Sequence, residues 1–343
     1  MRCCAAIVAS LVLAACTGPG RQDSRPAHAG DSFERLEFVS EAGSRQYKLF
    51  VPARLPAGPA PLLIELHGCS SDADEEARWS RFNTLADGIG MLVAYPEQSE
   101  EANGSRCWNW FSPDHQSRGA GEPALIAGIT REVMARFAVD PRRVYIGGIS
   151  AGGAMANIMA VTYPDLFAAA MIYAGCQYRG TTCTAAVAAL PPEIAGELAY
   201  QAMGELARVV PVLVLQGDRD LQVPYPNAEQ IIGQWLASDD WADDGANNGS
   251  IARAPARTET GQVPGGHSFE IDTYTDASGC VLAQRWLVHG LGHAWSQGES
   301  DGSPRDQLFT DPLGPDLSSA TLNFLLSHPM PVEGTGCLEI PDA

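Results

Sequence analysis

Short apolar runs that halt at Gly, Pro or Ser, with helical stretches between them, leave this chain few folds to choose from. Leu62-Leu63-Ile64-Glu65-Leu66, Met91-Leu92-Val93-Ala94 and Val144-Tyr145-Ile146 have the length and near-continuous hydrophobicity of strands buried on both faces. Ala124 to Phe137, ahead of Asp140-Pro141, and Ala151 to Tyr163, ahead of Pro164, carry apolar residues at helical spacing. Strand signals return at Phe167 to Tyr173, Val209 to Leu215 and Gln284 to Val288, and a last helix is expected over Ser318 to Ser327. Phe33 to Ser40 and Arg45 to Val51 read as an opening antiparallel hairpin about Glu41-Ala42-Gly43-Ser44. This alternation predicts an α/β protein with a mostly parallel central sheet, helices on both faces, and ligands at the carboxyl ends of the strands. Glu193 to Ala207 reads as a helical insertion above that sheet, and Ala237 to Gly266 as a long polar excursion without clear periodicity.

Gly148-Ile149-Ser150-Ala151-Gly152 fits G-x-S-x-G, in which small flanking residues let a sharp strand-to-helix turn lift the serine hydroxyl clear of the sheet. The pentapeptide alone has little specificity in a chain with 35 glycines; its place between a strand and a helix supplies it. A serine hydroxyl is a poor nucleophile near neutral pH, so the chemistry requires a histidine base and a carboxylate that orients it. Gly217-Asp218-Arg219-Asp220 follows a strand and offers two acids. Asp220, deeper in the loop and ahead of Val223, is the expected triad acid, with Asp218 stabilising the turn. His293, in the loop Gly290-Leu291-Gly292-His293, is the expected base, since small neighbours permit a close approach to Ser150. His289 is its rival and reads better as a structural histidine at a strand end. The chain order Ser150, Asp220, His293 is that of the α/β-hydrolase fold. Oxyanion donors are expected from the backbone N–H of Ala151 and of Cys69, in the loop His67-Gly68-Cys69-Ser70, with His67 shaping the loop.

The N-terminus and the cysteines bear on compartment. Arg2 precedes an apolar run from Ala5 to Ala15, too short to span a bilayer but suited to a signal peptide. Leu13-Ala14-Ala15-Cys16 resembles a bacterial lipobox, which predicts a signal over 1–16, lipidation at Cys16, and a flexible tether over 17–32. An ordinary secretory cut is the alternative. A catalytic domain is then expected over 33–330 and a tail over 331–343. Removing Cys3, Cys4 and Cys16 leaves Cys69, Cys107, Cys176, Cys183, Cys280 and Cys337, an even set that suits disulfides in an oxidising compartment. The expected pairs are Cys69–Cys107, Cys176–Cys183 and Cys280–Cys337, of which only the second has proximity in sequence behind it. With 22 Lys+Arg against 41 Asp+Glu, a net charge of −19 argues against a nucleic-acid partner. Asp239, Asp240, Asp243 and Asp244 lack EF-hand spacing and read as a solvated acidic loop, and Asp72, Asp74, Glu75 and Glu76 as the acidic first turn of a helix. No metal or cofactor is expected.

Four blocks carry a wider resemblance: Leu66-His67-Gly68-Cys69, Arg106-Cys107-Trp108-Asn109-Trp110-Phe111, Gly148-Ile149-Ser150-Ala151-Gly152-Gly153-Ala154-Met155 and Gly290-Leu291-Gly292-His293-Ala294-Trp295. With Gly121-Glu122-Pro123-Ala124-Leu125-Ile126 between them, the chain from Phe33 to His328 resembles the poly(3-hydroxybutyrate) depolymerase-like esterases, which are close to feruloyl and acetylxylan esterases. The resemblance implies an ester substrate, a triad at the three positions already derived, Trp108, Trp110 and Trp295 near the acyl pocket, and the Cys69–Cys107 pairing. A soluble oligomer or amorphous polyester is the expected partner, and membrane contact only through the lipid anchor. Feruloyl or acetyl esters of plant polysaccharide are the first alternative, and a surface lipoprotein that binds polymer without cutting it is the second.

Overall fold

The parallel strands form where the apolar runs predict them. A computed structural model describes residues 30–183 and 190–332, so the signal segment, Cys16, most of the tether and Cys337 with its expected bridge lie outside the described residues. The strands are β1 (Ser32–Ser40), β2 (Gly43–Val51), β3 (Ala60–Leu66), β4 (Leu92–Pro96), β5 (Val139–Gly148), β6 (Ala170–Tyr173) and β7 (Val212–Gly217). After them come β8 (Arg257–Gln262), β9 (Ser268–Thr275), β10 (Val281–Val288) and the two-residue pair β11 (Trp295–Ser296) and β12 (Thr310–Asp311). The large sheet has the order β1-β2-β4-β3-β5-β6-β7-β10-β9-β8. Strands β4, β3, β5, β6, β7 and β10 run parallel, and an antiparallel hairpin closes each edge.

Helices cover both faces, as strands buried on two sides require. They are α1 (Ala73–Ser80), α2 (Phe82–Ile89), α3 (Gly121–Arg136), α4 (Ala151–Thr162), α5 (Pro192–Met203), α6 (Pro226–Asp244), α7 (Pro304–Phe309) and α8 (Leu317–Ser327). Leu62, Ile64, Ile146, Ile172 and Val214 point to one face, under α3, α4, α5 and α6. Leu63, Val93, Tyr145, Met171 and Leu215 point to the other, under α1, α2 and α8. Every residue of α4 is buried, which explains why its sequence is apolar all round.

One region departs from the sequence reading. The segment 237–266 is no structureless excursion: it holds the end of α6 and strand β8. Asp239 and Asp240 are not solvated either, but wholly buried. Asp240 accepts hydrogen bonds from Gly249 N, Ser250 Oγ and Ile251 N at 3.0, 2.6 and 2.9 Å, and so caps the turn that leaves α6. Asp239 accepts from Val210 N at 3.4 Å. The expected helix over 193–207 is α5, which lies against α4 and α6 on one face of the sheet.

The expected acidic first turn of α1 is present, with Asp72 capping the N–H groups of Asp74 and Glu75. Glu76, however, turns inward and is wholly buried, as is Glu65 on β3. Bare Gly147 makes the room, since a Cβ there would lie 2.5 Å from Glu65 Oε2. Among the described residues the Glu65 carboxyl has no hydrogen-bond partner, while the Gly68 backbone partly favours the charged form of Glu76. Burial raises both well above the usual carboxylate range, reinforced at Glu65 by Glu76 and at Glu76 by Glu75 and Asp72. A group whose folded-state pKa is raised contributes stability below its unfolded value, near 4.5, and loses it as pH rises through the folded value. Replacing both by the neutral isostere (Glu65→Gln with Glu76→Gln) is therefore expected to raise the thermal midpoint relative to the parent by an amount that grows with pH above 4.5. Each kcal/mol should be worth about 2 °C in a chain of this size. A gap that stays constant between pH 4 and pH 9 in matched melting curves would contradict this.

Candidate active site

The serine turn is built from backbone contacts that side chains would block. Ser150 joins β5 to α4 at φ 60° and ψ −122°, a conformation that costs a non-glycine residue about 1–3 kcal/mol. Its N–H donates to the Tyr173 carbonyl at 2.9 Å, and the N–H of Ile149 donates to the Leu66 carbonyl at 3.2 Å. A Cβ on Gly152 would overlap the Leu66 carbonyl oxygen, and one on Gly153 would lie 2.5 Å from that of Tyr173. The glycines of this turn thus let β3, β5, β6 and α4 meet at one point.

The expected acid and base follow neighbouring strands. Asp220 follows β7 and His293 follows β10, and these strands pair in parallel. Asp220 is 4% exposed. Its Oδ1 accepts from Gln222 N and Val223 N at 2.9 and 2.8 Å, and its Oδ2 meets His293 Nδ1 at 2.7 Å and Gln216 Nε2 at 3.2 Å. A carboxylate on Nδ1 keeps the proton there and leaves Nε2 unprotonated, the tautomer that can accept a proton from a hydroxyl. The rival pair also forms: Asp218 Oδ2 lies 3.0 Å from His289 Nδ1. It is more open to water, with the two side chains 31% and 45% exposed. Asp218 Oδ1 also accepts from Gly290 N at 2.7 Å, so it holds the turn ahead of His293. Against the cost of partial burial, the hydrogen bonds from Gly290 and His289 keep Asp218 below the ordinary carboxylate range.

The loop expected to carry the oxyanion donor lies over the serine, for a Cβ on Gly68 would stand 3.4 Å from Ser150 Cβ. His67 shapes it from inside. Its Nε2 accepts from Gln98 N at 2.9 Å and its Nδ1 donates to the Gly68 carbonyl at 2.6 Å. Burial pushes the imidazole down to about 4, so it is neutral. Cys69 is bonded to Cys107, and Cys176 to Cys183. Sequence reasoning missed Glu122, which is buried in the first turn of α3. It accepts from Asn109 N and Nδ2 at 2.7 and 2.6 Å and from the Gln98 side chain, gathering the loops beside Cys107. An acid in a first helical turn reads as solvated, and nothing in its spacing marks it otherwise.

The three tryptophans divide. Trp108 and Trp295 are wholly buried. Trp108 packs on His67 at 5.8 Å, and Trp295 on Tyr173 and Phe82 at 5.2 and 5.6 Å, with its Nε1 donating to Ser318 Oγ at 2.8 Å. Both stand in the core beside the motifs that carry Cys107 and His293. Trp110 is half-buried beside Phe111, at 5.2 Å.

Known proteins share this arrangement of chain. Poly(3-hydroxyalkanoate) depolymerase C of Paucimonas lemoignei is 33% identical over 268 residues, which are 75% of this chain and 60% of that protein. Feruloyl esterase B of Neurospora crassa is 35% identical over 162 residues, 46% of this chain and 53% of that one. The matches therefore span only about half to three-fifths of these relatives' lengths. Among solved structures, the acetyl xylan esterase from Aspergillus awamori superimposes with a TM-score of 0.63 at 22% identity, covering 76% of this chain and 94% of that one, a likeness of α/β-hydrolase fold. The profile of the family described as Esterase PHB depolymerase matches residues 45–259, and the chain belongs to that family.

Proposed function

We propose that this chain is an exported serine esterase, with its catalytic domain over 33–330, that hydrolyses carboxylic esters of the polyhydroxybutyrate type, as polyester or oligomer. The 2.7 Å contact between Asp220 and His293, in loops at the carboxyl ends of β7 and β10 of the same parallel sheet whose strand β5 leads into the turn of Ser150, carries this reading. Ser150 Oγ attacks the ester carbonyl while His293 Nε2 takes its proton. The N–H groups of Cys69 and Ala151 stabilise the oxyanion, each by about 3 kcal/mol. The imidazolium returns the proton to the departing alcohol, leaving an acyl-enzyme; water then repeats the sequence, releasing the acid and restoring the serine. Asp220 holds the imidazole in the required tautomer throughout. The mechanism calls for no metal or organic cofactor.

The name of the Paucimonas relative supports a polyester substrate, and the half-buried Trp110 beside the partly exposed Phe111 offers an apolar surface for its acyl chain. A second observation favours a hydroxyl-rich alcohol instead. A polar cleft of about 800 Å³ is lined by Arg35, Arg45, Glu97, Gln98 and Arg106, close to the Cys69–Cys107 bridge. Such a lining, which includes none of the triad residues, suits the sugar of a feruloylated or acetylated plant polysaccharide. The formed disulfides support an oxidising compartment. Lipidation at Cys16 completes the proposal; labelling by radioactive palmitate, expected to vanish in Cys16→Ala, checks it.

Ser150→Ala is expected to abolish p-nitrophenyl butyrate hydrolysis in a folded protein. Undiminished turnover would put the nucleophile elsewhere; loss separates an esterase from a protein that only binds polymer. Asp220→Asn should lower kcat by about four orders of magnitude by fixing the wrong tautomer. Asp218→Asn, altering an exposed pair, should change it by less than about threefold. The reverse ranking would assign the chemistry to Asp218 and His289. Parallel rates on hydroxybutyrate oligomers, methyl ferulate and acetylated xylan decide the substrate, with the highest kcat/KM expected on the oligomers.

A further inference from the structure

Ser150 and His293 follow strands β5 and β10, which β6 and β7 separate in the sheet. Proton transfer between them demands a fixed spacing to within a fraction of an ångström, so the two loops need a common reference. Asp220 orients the imidazole ring from the side of β7. The other reference lies between the serine and the histidine.

We propose that Tyr173, the last residue of β6, is the positioning residue of this site, setting the spacing between the serine turn and the histidine loop. This inference rests on the roles given above to Ser150 and His293. The Tyr173 carbonyl accepts the Ser150 N–H at 2.9 Å, and Ile149 bridges to Tyr173 in parallel register. At its other end the Tyr173 hydroxyl donates to the carbonyl of Ala294, the residue after His293, at 2.6 Å. Its ring packs edge-on against Trp295 at 5.2 Å, and Trp295 is itself held by Ser318. One buried residue therefore holds both loops, the serine turn through its backbone carbonyl and the histidine loop through its hydroxyl. Its placement is rigid. Gly153 leaves only enough room for the Tyr173 carbonyl, and Ala174 turns the chain sharply at φ 46° immediately afterwards. Burial also disfavours ionisation of the phenol, which stays a donor across the working pH range.

Removing only the hydroxyl should loosen the histidine loop without touching the surface that binds substrate. For Tyr173→Phe we expect kcat on p-nitrophenyl butyrate to fall about tenfold, the equivalent of one hydrogen bond, with KM within about twofold of the parent. Tyr47→Phe is the control, since its hydroxyl donates to Glu132 at 2.6 Å on the outer strand β2 and its loss should cost stability but not kcat. A Tyr173→Phe enzyme with parental kcat, or an equal fall in Tyr47→Phe, overturns the proposal. If Tyr173→Phe cannot be obtained folded, Ser318→Ala, which frees Trp295, should lower kcat about threefold at constant KM. An unchanged kcat there overturns it equally. Ser150→Ala assayed alongside separates the two levels: an inactive Ser150→Ala with a fully active Tyr173→Phe sinks only the role of Tyr173, whereas an active Ser150→Ala sinks the esterase reading beneath it.

Discussion

The chemistry of this chain depends on backbone-to-backbone contact where the ends of β3, β5 and β6 meet the start of α4. The Leu66 and Tyr173 carbonyls accept the N–H groups of Ile149 and Ser150, and Gly152 and Gly153 are bare where those carbonyls press on the helix. Such contact holds Ser150 in a strained conformation that it would otherwise leave. The strain persists because α4 cannot retreat: it is buried along its whole length between the sheet and its neighbouring helices. Hydrophobic burial of α4, a property of the whole domain, thus fixes the direction of a single hydroxyl-bearing side chain.

Much of this could be read from the sequence because the signals are local. Apolar runs ended by small residues locate the strands, and chain order is what assigns the expected serine, acid and histidine to the ends of three of them. What escaped reading depends on which way a polar side chain turns. Asp239 and Asp240 look like solvent-facing charges, yet they point inward from α6 and satisfy Val210 and the turn at Gly249 to Ile251. The tryptophans beside the motifs are the converse case. Their neighbourhood to the site in sequence says nothing of whether they face the cleft or the core, and Trp108 and Trp295 face the core. Tyr173 lay inside a predicted strand and carried no motif; only the fold brings its hydroxyl to Ala294.

Buried polar groups around the loop of His67 fall into two kinds. His67 and Glu122 spend their capacity on the backbone and side chains of adjoining loops, and so define one geometry for the segment that covers Ser150. A fully satisfied buried network specifies structure in a way that apolar packing does not. Glu65 lacks such partners and Glu76 has only the Gly68 backbone, so burial drives both toward the neutral acid. The site is therefore framed by polar residues that order its loops and underlain by a pair whose charge the core suppresses.

Two aspartate–histidine pairs, their acids two residues apart and their histidines four, stand in the same two loops in different surroundings. Asp218 and His289 reach water, where solvent competes for each hydrogen bond and screens the charge. Asp220 is almost wholly enclosed, and two backbone N–H groups and Gln216 fix both of its oxygens. A carboxylate held in that way cannot rotate to follow the imidazole, so the imidazole must conform to it. Orientation of this kind is what a general base requires, because its efficiency depends on where its free nitrogen points when the hydroxyl proton leaves. The outer pair instead anchors the turn at Gly290, one step before the loop that carries His293. The same residue types at nearly the same sequence positions are thus divided by burial into a support for the loop and a carboxylate that fixes its imidazole.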